Sequence, residues 1–314
     1  MKIAQLRDAH RSGELPKPYY LGAVYGATRT LFEFQEMLAG SQLREIVVGA
    51  DSVRVRTRLN DLELMFDPQE VSSLVSGLLA FGDTEATERE VLLSAARSAP
   101  EILDIGANVG WYSLHFAKVA PTARIVAFEP MPQIHARLLE HLRINQVETV
   151  QPEKLALQDS EGDGVLYFHA AETGATSARN NRGFNGAVTE AVRTTTLDRY
   201  CDAQGLSPAL IKCDVEGSEF AVVRGGLATI RRCQPVIFLE LLRKWSANFG
   251  YHPNAVLETL FGLGYEAWAI ESDGISACAE ITEETVATNF LFTVPARHQA
   301  LLDDLATRIP VRTA

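Results

Sequence analysis

The stretch Glu101-Ile-Leu-Asp-Ile-Gly-Ala-Asn-Val-Gly110 decides the fold of this 314-residue chain. A short apolar strand ends near Asp104, a glycine-bearing turn follows it, and a helix begins near Trp111. Gly106 allows the backbone to bend sharply and to approach a ligand closely, and Gly110 allows the helix to pack tightly on the strand. This order of elements predicts the first crossover of an open parallel sheet, in which ligands bind beyond the carboxyl ends of the strands.

Downstream of this turn, short apolar strands alternate with helices. Strands are predicted over residues 125–128, 210–213, 236–239, 265–270 and 290–294, and helices over 111–119, 133–145, 219–230 and 254–263. Such alternation predicts an α/β fold, with a mostly parallel sheet covered by helices on both faces. Between two further strands, 165–169 and 192–196, the polar stretch 173–186 interrupts the rhythm. It is expected to be a functional loop over the sheet edge, the alternative being a disordered excursion.

Upstream of residue 100 the pattern is mixed. A helix is predicted over Thr28–Leu38, and the alternating stretch 52–58 is expected to pair with 62–66 as a hairpin. Helices over 71–79 and 85–96 follow. We therefore predict an N-terminal α+β extension over residues 1–95, which caps the ligand site or mediates homodimer formation, and a ligand-binding domain over residues 96–314.

Composition limits the classes of function. The net charge of −11 argues against binding to a phosphate backbone, so no nucleic-acid partner is expected. The four cysteines are widely spaced and form no C-x-x-C pair, which argues against a disulfide framework or a structural zinc site. No secretory leader and no stretch of about 18 apolar residues is recognised, so the expectation is a soluble cytoplasmic protein without a membrane partner.

The glycine turn distinguishes two classes of ligand. The dinucleotide pattern G-x-G-x-x-G is absent, because Ala107 and Asn108 stand where its middle glycine is required. Asp104 would repel a pyrophosphate, whereas a carboxylate suits a ligand that carries an ammonium and a sulfonium. The turn, Ala107 included, is therefore predicted to bind S-adenosylmethionine (SAM). An NAD-dependent oxidoreductase is the alternative.

An acidic residue follows the second strand at the spacing expected of a ribose ligand. Glu129 comes 19 residues after Gly110 and directly after the strand 125–128. A carboxylate at this position can accept both hydrogens of a ribose diol. Pro130 ends the strand beside it and is assigned to the same binding site.

Three further carboxylates are candidates for the catalytic chemistry. Asp214 ends another buried strand, Glu216 lies in the turn after it, and Glu240 ends the strand 236–239. Together they could act as a general base on an acceptor hydroxyl or hold a divalent cation. The cation lacks a diagnostic ligand spacing, so general-base catalysis is favoured and no metal ligands are assigned. His252 is the competing base, and Glu219 is expected to complement the dipole of the helix that it begins.

In combination, these motifs resemble the FkbM family of SAM-dependent methyltransferases over roughly residues 60–295. The resemblance rests on Asp104–Ser113, Phe128–Pro130, Leu155–Asp159, Ile211–Glu219 and Arg224–Gly226. The segment Asp83–Glu88 is similar to the acidic pair that precedes the family's core, with Thr84 where the family has an aromatic residue.

The resemblance implies a Rossmann-like class I methyltransferase fold, with a seven-stranded sheet whose last strand is antiparallel. It also implies O-methylation of a hydroxyl on a sugar, polyketide or other small secondary metabolite. By the same resemblance, Asp104, Gly106, Asn108 and Gly110 hold the methionine end of SAM and Glu129 holds the ribose. Leu157 and Gln158 lie near the adenine, and Asp214 lies near the reaction centre. A non-catalytic protein that binds SAM is the remaining alternative.

Overall fold

The N-terminal segment forms three helices and a small antiparallel sheet. The computed structural model describes residues 3–67, 73–83, 85–169, 172–181 and 188–312. The helices are α1 (Ile3–Arg11), α2 (Lys17–Thr28) and α3 (Phe34–Ala39), with a 3₁₀ turn at Arg29–Phe32. They precede β1 (Leu43–Val48), β2 (Val53–Thr57) and β3 (Glu63–Met65), which pair in that order, and then α4 (Leu74–Phe81) and α5 (Ala86–Ala96).

The hairpin prediction over 52–58 and 62–66 is confirmed, because β2 and β3 pair antiparallel. The single helix predicted over Thr28–Leu38 is wrong: α2 ends at Thr28, and the 3₁₀ turn separates it from α3. Thr28 and Thr30 donate their hydroxyl hydrogens to carbonyl groups of the preceding turn, a local bond that competes with regular helix. Of the helix predicted over 71–79, residues 71 and 72 lie outside the described ranges.

The rest of the chain alternates between strands and helices. The first half contains β4 (Glu101–Ile105), α6 (Trp111–Val119), β5 (Arg124–Phe128), α7 (Pro132–Ile144), β6 (Val150–Glu153), β7 (Ala156–Gln158), β8 (Gly162–His169), β9 (Glu172–Ser177), β10 (Val188–Thr196) and α8 (Leu197–Gln204). The second half contains β11 (Leu210–Cys213), α9 (Glu219–Arg224), α10 (Leu227–Cys233), β12 (Val236–Glu240), α11 (Arg243–Asn248), α12 (Asn254–Phe261), β13 (Glu266–Glu271), β14 (Gly274–Ala277), β15 (Asn289–Thr293), α13 (Pro295–Ala306) and β16 (Val311–Arg312).

The main sheet has the predicted α/β architecture. Within the described residues its strand order is β16-β14-β13-β15-β12-β11-β4-β5-β6. The strands from β12 to β6 run parallel, and β15 is antiparallel to both of its neighbours. The seven strands from β13 to β6 thus form the implied class I methyltransferase sheet. β14 and β16 widen it to nine.

Two hydrophobic cores cover the faces of this sheet, because neighbouring residues of a strand point to opposite sides. Ile102 of β4 packs on one side with Leu210 and Phe238, and Leu103 packs on the other side with Val126. The central strands are therefore continuous apolar runs rather than alternating ones. None of the helices in the described ranges is long and apolar enough to cross a bilayer.

A second sheet, in the order β7-β10-β8-β9, lies after β6. It contains both strands that the sequence predicts on either side of the polar stretch. Part of that stretch is itself a strand, since β9 runs from Glu172 to Ser177. Residues 182–187 of the expected loop lie outside the described residues.

The single helix predicted over 219–230 is wrong, because Gly225 and Gly226 separate α9 from α10. A Cβ atom on Gly225 would lie 2.1 Å from the carbonyl oxygen of Gln158. One on Gly226 would lie 2.4 Å from the Leu197 side chain. The glycine pair thus lets the chain approach β7 and α8 more closely than a regular helix with side chains would allow.

Helix α5 packs on the main sheet. Its residues Val91, Leu92 and Ala96 are buried in the same core as Ile102. The sequence assigns this helix to the extension by placing a boundary between residues 95 and 96. A division of the chain at that point would cut through this packing.

Side-chain hydrogen bonds of His141 and Asn145 fasten the N-terminal sheet to helix α7 and its C-terminal end. Asn145 accepts from the backbone N–H of Glu63 at 2.8 Å and donates to its carbonyl at 2.7 Å. His141 accepts from Met65 N at 2.9 Å through Nε2, and its Nδ1 lies 2.7 Å from Val109 O, to which it donates. Burial lowers the pKa of His141 to about 4, so the ring is neutral at physiological pH.

Candidate cofactor and active site

A cleft lies at the carboxyl ends of β4, β5 and β11, where the fold places ligands. The predicted site residues that line it are Gly106, Asn108, Glu129, Pro130, Leu157, Gln158, Asp214 and Glu216. Asp104, Ala107 and Gly110 lie behind the lining and shape the turn. The structure therefore brings residues from four separate stretches of sequence to one edge of the sheet.

The glycine turn owes its shape to residues with positive φ. Gly106 has φ +74°, Asn108 +50° and Gly110 +90°, in a region that favours glycine and tolerates asparagine. A Cβ atom on Gly106 would lie 1.8 Å from the carbonyl oxygen of Asp214. The N–H groups of Gly106 and Ala107 both donate to Phe128 O, at 3.0 and 2.9 Å. The turn is thus pressed between the ends of β5 and β11.

Glu129 is held with its carboxylate in the cleft. Oε2 accepts from Asn108 N at 3.0 Å, and Oε1 accepts from Met131 N at 2.9 Å. Burial raises the pKa of this carboxyl to about 7, although the two backbone N–H groups and Lys212 oppose that shift. Each carboxylate oxygen retains a second lone pair, so Glu129 can still accept from a ligand.

Asn108 carries an unsatisfied polar atom in the lining. Its Oδ1 is buried and has no hydrogen-bond partner among the residues that the structure describes. A buried acceptor without a partner is unfavourable, so this oxygen is suited to an N–H or O–H group of a ligand. With Glu129, it provides two acceptors for a donor-rich, ribose-bearing molecule. This pair of acceptors fits SAM, whose ribose and ammonium groups are donors.

Asp104 is fully buried and does not reach the lining. Its Oδ2 accepts from Ser113 Oγ at 2.6 Å, and its Oδ1 lies 3.5 Å from Lys212 Nζ. The sequence predicts a role for Asp104 at the methionine end of the ligand. The geometry places the carboxylate one layer behind the turn, where it can act through Lys212 and the start of α6.

Lys212 is a site residue that the sequence prediction missed. Its side chain is almost completely buried, and Nζ donates to Gly106 O at 2.9 Å and lies 3.7 Å from Asp214 Oδ2. Burial alone would lower its pKa, but Asp104 and Asp214 outweigh this effect and raise it. The signal was present in the sequence: a lysine inside the apolar strand 210–213 must have a charged partner.

Of the three carboxylates proposed for catalysis, Asp214 and Glu216 line the cleft, and Glu240 lies beside Asp214 without lining it. The Asp214 side chain is 38% exposed and hydrogen-bonds to Glu240, whose pKa is raised well above its usual range by burial and then by Asp214 and Glu216. A hydrogen bond between two carboxyl groups requires a proton on one of them, and burial favours the protonated form of Glu240. No group of three or more His, Cys, Asp or Glu residues in the described ranges could hold a metal ion.

The turn that carries Glu216 is held from both sides. Glu216 has φ +55°, and its carbonyl oxygen accepts from Ser177 Oγ at 2.8 Å and from Asn181 Nδ2. Buried Glu219 accepts from the N–H groups of Val215 and Gly217, both at 3.0 Å. Glu219, in the first turn of α9, therefore binds the loop that leads into this helix.

Segment 176–181 covers one side of the cleft. Thr176, Ser177 and Ala178 contribute to its lining. Asn248 donates to Asn181 at 3.0 Å, which ties the segment to α11. The competing base, His252, is exposed and does not line the cleft; its Nδ1 accepts from Asn254 N at 3.2 Å.

Comparisons with known proteins identify relatives of this chain. The family model described as the methyltransferase FkbM domain matches residues 104–267, about half of the chain. The 2-O-methyltransferase NoeI of Sinorhizobium fredii is 27% identical over 180 residues, which cover 52% of this chain and 72% of the relative. The methyltransferase sdnD of Sordaria araneosa is 33% identical over 157 residues, covering 41% of this chain and 61% of sdnD.

Among solved structures, one match is methyltransferase FkbM from Methylobacillus flagellatus. It is 14% identical with a TM-score of 0.41, and the alignment covers 85% of this chain and 60% of that one. The family match includes the glycine turn, Glu129, Lys212 and the carboxylates Asp214 and Glu240. The chain therefore belongs to the FkbM family of methyltransferases.

Proposed function

We propose that this protein transfers the methyl group of SAM to a hydroxyl oxygen of a small metabolite or glycan. The proposal rests on one observation: a single cleft contains two groups that can accept hydrogen bonds from a ligand and, nearby, a separate carboxylate. The acceptors are Asn108 Oδ1 and Glu129, and the carboxylate is Asp214 at the neighbouring strand tip. Membership of the FkbM family supports methyl transfer, and the name of NoeI as a 2-O-methyltransferase supports oxygen as the acceptor atom.

The donor side of the cleft divides into a polar and an apolar part. Glu129 would accept from the ribose hydroxyls, and Asn108 Oδ1 from a neighbouring donor group. Leu157, with Ile134 and Leu166, provides an apolar wall for the adenine. When bound, SAM supplies a methyl group already activated by the positive charge on sulfur.

The acceptor side needs a group that aligns a hydroxyl and takes its proton. Asp214 is suited to this role because its side chain is partly exposed, whereas burial favours the protonated form of its neighbour Glu240. Lys212 lies behind Asp214 and balances its charge. Alignment of the acceptor oxygen with the methyl carbon contributes several kcal/mol in such reactions, so positioning by these side chains is expected to be the main effect.

The donor assignment is tested by calorimetric titration with S-adenosylhomocysteine. The wild type should bind it, and Glu129→Ala should weaken binding by about one to two orders of magnitude, the expected loss of charge-assisted hydrogen bonds. Glu161→Ala serves as the control, because Glu161 is exposed and outside the cleft. NAD binding without S-adenosylhomocysteine binding would instead support the oxidoreductase alternative.

The acceptor assignment is tested by transfer of radiolabelled methyl from SAM to a panel of hydroxylated sugars and phenols. Asp214→Asn should abolish most of the transfer while S-adenosylhomocysteine still binds. Donor binding without transfer to any extract of the source cells would favour the non-catalytic alternative.

A further inference from the structure

Helix α2 exposes an apolar surface that the described part of the chain leaves uncovered. No residue of α1 or α2 is buried in these ranges. Tyr19 is 71% exposed, Tyr25 65% and Phe32, just after the helix, 66%. Leu21 and Leu31 are also more than half exposed. Large aromatic side chains in such a cluster mark an interaction surface rather than an ordinary solvent-facing helix.

The exposed face of α2 combines protruding side chains with a notch. At 3.6 residues per turn, Gly22 and Gly26 lie between Tyr19 and Tyr25 on the helix surface. A Cβ atom on either glycine would meet nothing within 4 Å. The opposite face is turned toward α1, where Tyr20 stacks on His10 at 4.9 Å between ring centroids.

We propose that a second copy of this chain covers this face, with the two α2 helices crossing at their glycine notches. A two-fold interface requires a patch that is complementary to itself. α2 meets that requirement, because Tyr25 of one copy can enter the notch at Gly22 and Gly26 of the other. The glycines let the two backbones approach closely, and the tyrosines fill the space on either side.

The apolar area is sufficient for a stable dimer. A fully buried aromatic residue covers roughly 150–250 Å², so the exposed parts of Tyr19, Tyr25 and Phe32 amount to roughly 300–500 Å². Leu21 on the same helix is 54% exposed and adds to this area. Roughly 56–58% of the ~800 Å² per partner in a standard interface is apolar, or about 450 Å², so the exposed apolar area of this face is of the size that a dimer requires.

The charge of this segment favours a second copy over a lipid surface. Residues 3–39 contain four basic side chains and four acidic ones, so their formal charge is zero in a chain of net charge −11. These are Arg7, Arg11, Lys17 and Arg29 against Asp8, Glu14, Glu33 and Glu36. Two copies can therefore meet here without local repulsion, whereas attraction to an anionic bilayer needs an excess of Lys and Arg.

Sedimentation velocity of the full chain tests the proposal. Across about 1–100 µM, where interfaces of modest affinity dissociate, the wild type should shift toward twice its 34.4 kDa mass. Gly26→Gln should fill the notch and raise the dimer dissociation constant at least about tenfold, a loss typical of a central interface position. The double variant Tyr19→Ser, Tyr25→Ser should do the same by removing the protruding rings.

Gly77→Gln in α4 is the matched control, because it also places a side chain on a helix glycine with nothing within 4 Å. It should dimerise like the wild type. Circular dichroism should show that all variants remain folded, since glutamine favours helix over glycine.

Three outcomes would overturn the proposal. The first is a wild type that stays monomeric throughout the range. The second is a dimer that both α2 variants leave intact, which would place the interface elsewhere. The third is a monomer that co-sediments with phosphatidylcholine or phosphatidylglycerol vesicles through the same tyrosines.

Discussion

At the scale of single residues, the missing side chain of Gly106 lets the glycine turn lie against the end of β11 at Asp214. Alanine there would have an unfavourable positive φ and a Cβ 1.8 Å from Asp214 O. We expect Gly106→Ala to lower the free energy of unfolding by about 3 kcal/mol or more, from strain and overlap together. S-adenosylhomocysteine affinity should fall as well. Urea denaturation and calorimetry measure the two effects.

Gly205 provides the control for this substitution, because it has φ +63° but nothing within 4 Å of its Cβ position. Gly205→Ala should therefore show only the left-handed strain, about 1–2 kcal/mol. Equal losses for the two alanine variants would contradict the claim that the contact with Asp214 matters.

Glu129 makes donor binding dependent on pH. Its carboxyl accepts hydrogen bonds best when ionised, and burial raises its pKa to about 7. As the pH falls below about 7, the ionised fraction drops, so the dissociation constant should rise toward about tenfold per pH unit. Calorimetry between pH 5.5 and 8.5 in ~0.5-unit steps resolves such a slope. A wild type with the same flat profile as Glu129→Gln would exclude this role.

Lys212 is expected to stabilise the fold by neutralising Asp104. Lys212→Met would leave that buried carboxylate without its counter-charge, which should lower the free energy of unfolding by about 3–5 kcal/mol. The exposed Lys118 offers a comparison in the same region, and Lys118→Met should change stability by less than about 0.5 kcal/mol. Similar values for both lysines would show that the ion pair contributes nothing.

The sequence predicts most of the residues in this cleft, because the polar side chains lie at or just after the ends of apolar strands that are recognisable in the sequence. Glu129 and Asp214 each follow a buried strand directly, and Asn108 lies in the turn after another, so the topology of a parallel sheet brings them together. The depth of Asp104 was not predictable in the same way. Whether a strand-end carboxylate faces the cleft or the core depends on a partner that is distant in sequence, here Lys212.

At the scale of elements, periodicity located the strands and most helices but not their interruptions. The break between α9 and α10 follows from contacts of Gly225 and Gly226 with β7 and α8. Those contacts are tertiary, and a helical pattern of apolar residues does not reveal them. The Gly-Gly pair itself was the local signal, since two adjacent glycines are unfavourable inside a helix.

The attachment of the N-terminal sheet to α7 should be sensitive to acid. Because His141 has a folded pKa of about 4, below the ~6.5 of an unfolded histidine, the unfolded state binds more protons between these values. Its stabilising contribution is thus complete above about pH 6.5 and is lost as the pH falls toward 4. The effect is about 1.4 kcal/mol per pH unit within this window.

Urea denaturation at several pH values measures this effect by comparison with His141→Gln. The variant lacks the titrating ring. Between pH 6.5 and 5, its free energy of unfolding should therefore fall less steeply than that of the wild type, by about 1.4 kcal/mol per pH unit. Other groups, including His115 with its pKa lowered to about 3, titrate in both proteins and cancel in the comparison. Parallel curves would contradict the assignment.

At the scale of the whole molecule, the packing of β1–β3 and α5 determines how many N-terminal residues can be deleted without unfolding the protein. Leu43, Leu62 and Leu64 share a core with Val91 and Ile102, whereas α1, α2 and α3 bury no residue in the described ranges. Deleting residues 1–40 should therefore leave a folded protein whose stability changes by no more than about 1–2 kcal/mol. Deleting residues 1–95 should prevent folding, because a large buried apolar face would be exposed.

Circular dichroism and urea denaturation of the two shortened chains check this expectation. A stable, cooperative fold for residues 96–314 alone would support the boundary predicted from the sequence and contradict the importance of α5. The sequence could not reveal this packing, because α5 contacts the sheet through buried apolar side chains that form no recognisable local motif.

The hydrogen bonds between the Asn145 side chain and the Glu63 backbone also limit how this protein can be recombined with its relatives. Strand β3 is recognised by one side chain at the end of α7 and by His141 one turn earlier. A chimera that imports only a foreign N-terminal segment would break that recognition. Grafting should succeed when residues 43–65 and 132–145 are transplanted together, as a single exchangeable cassette.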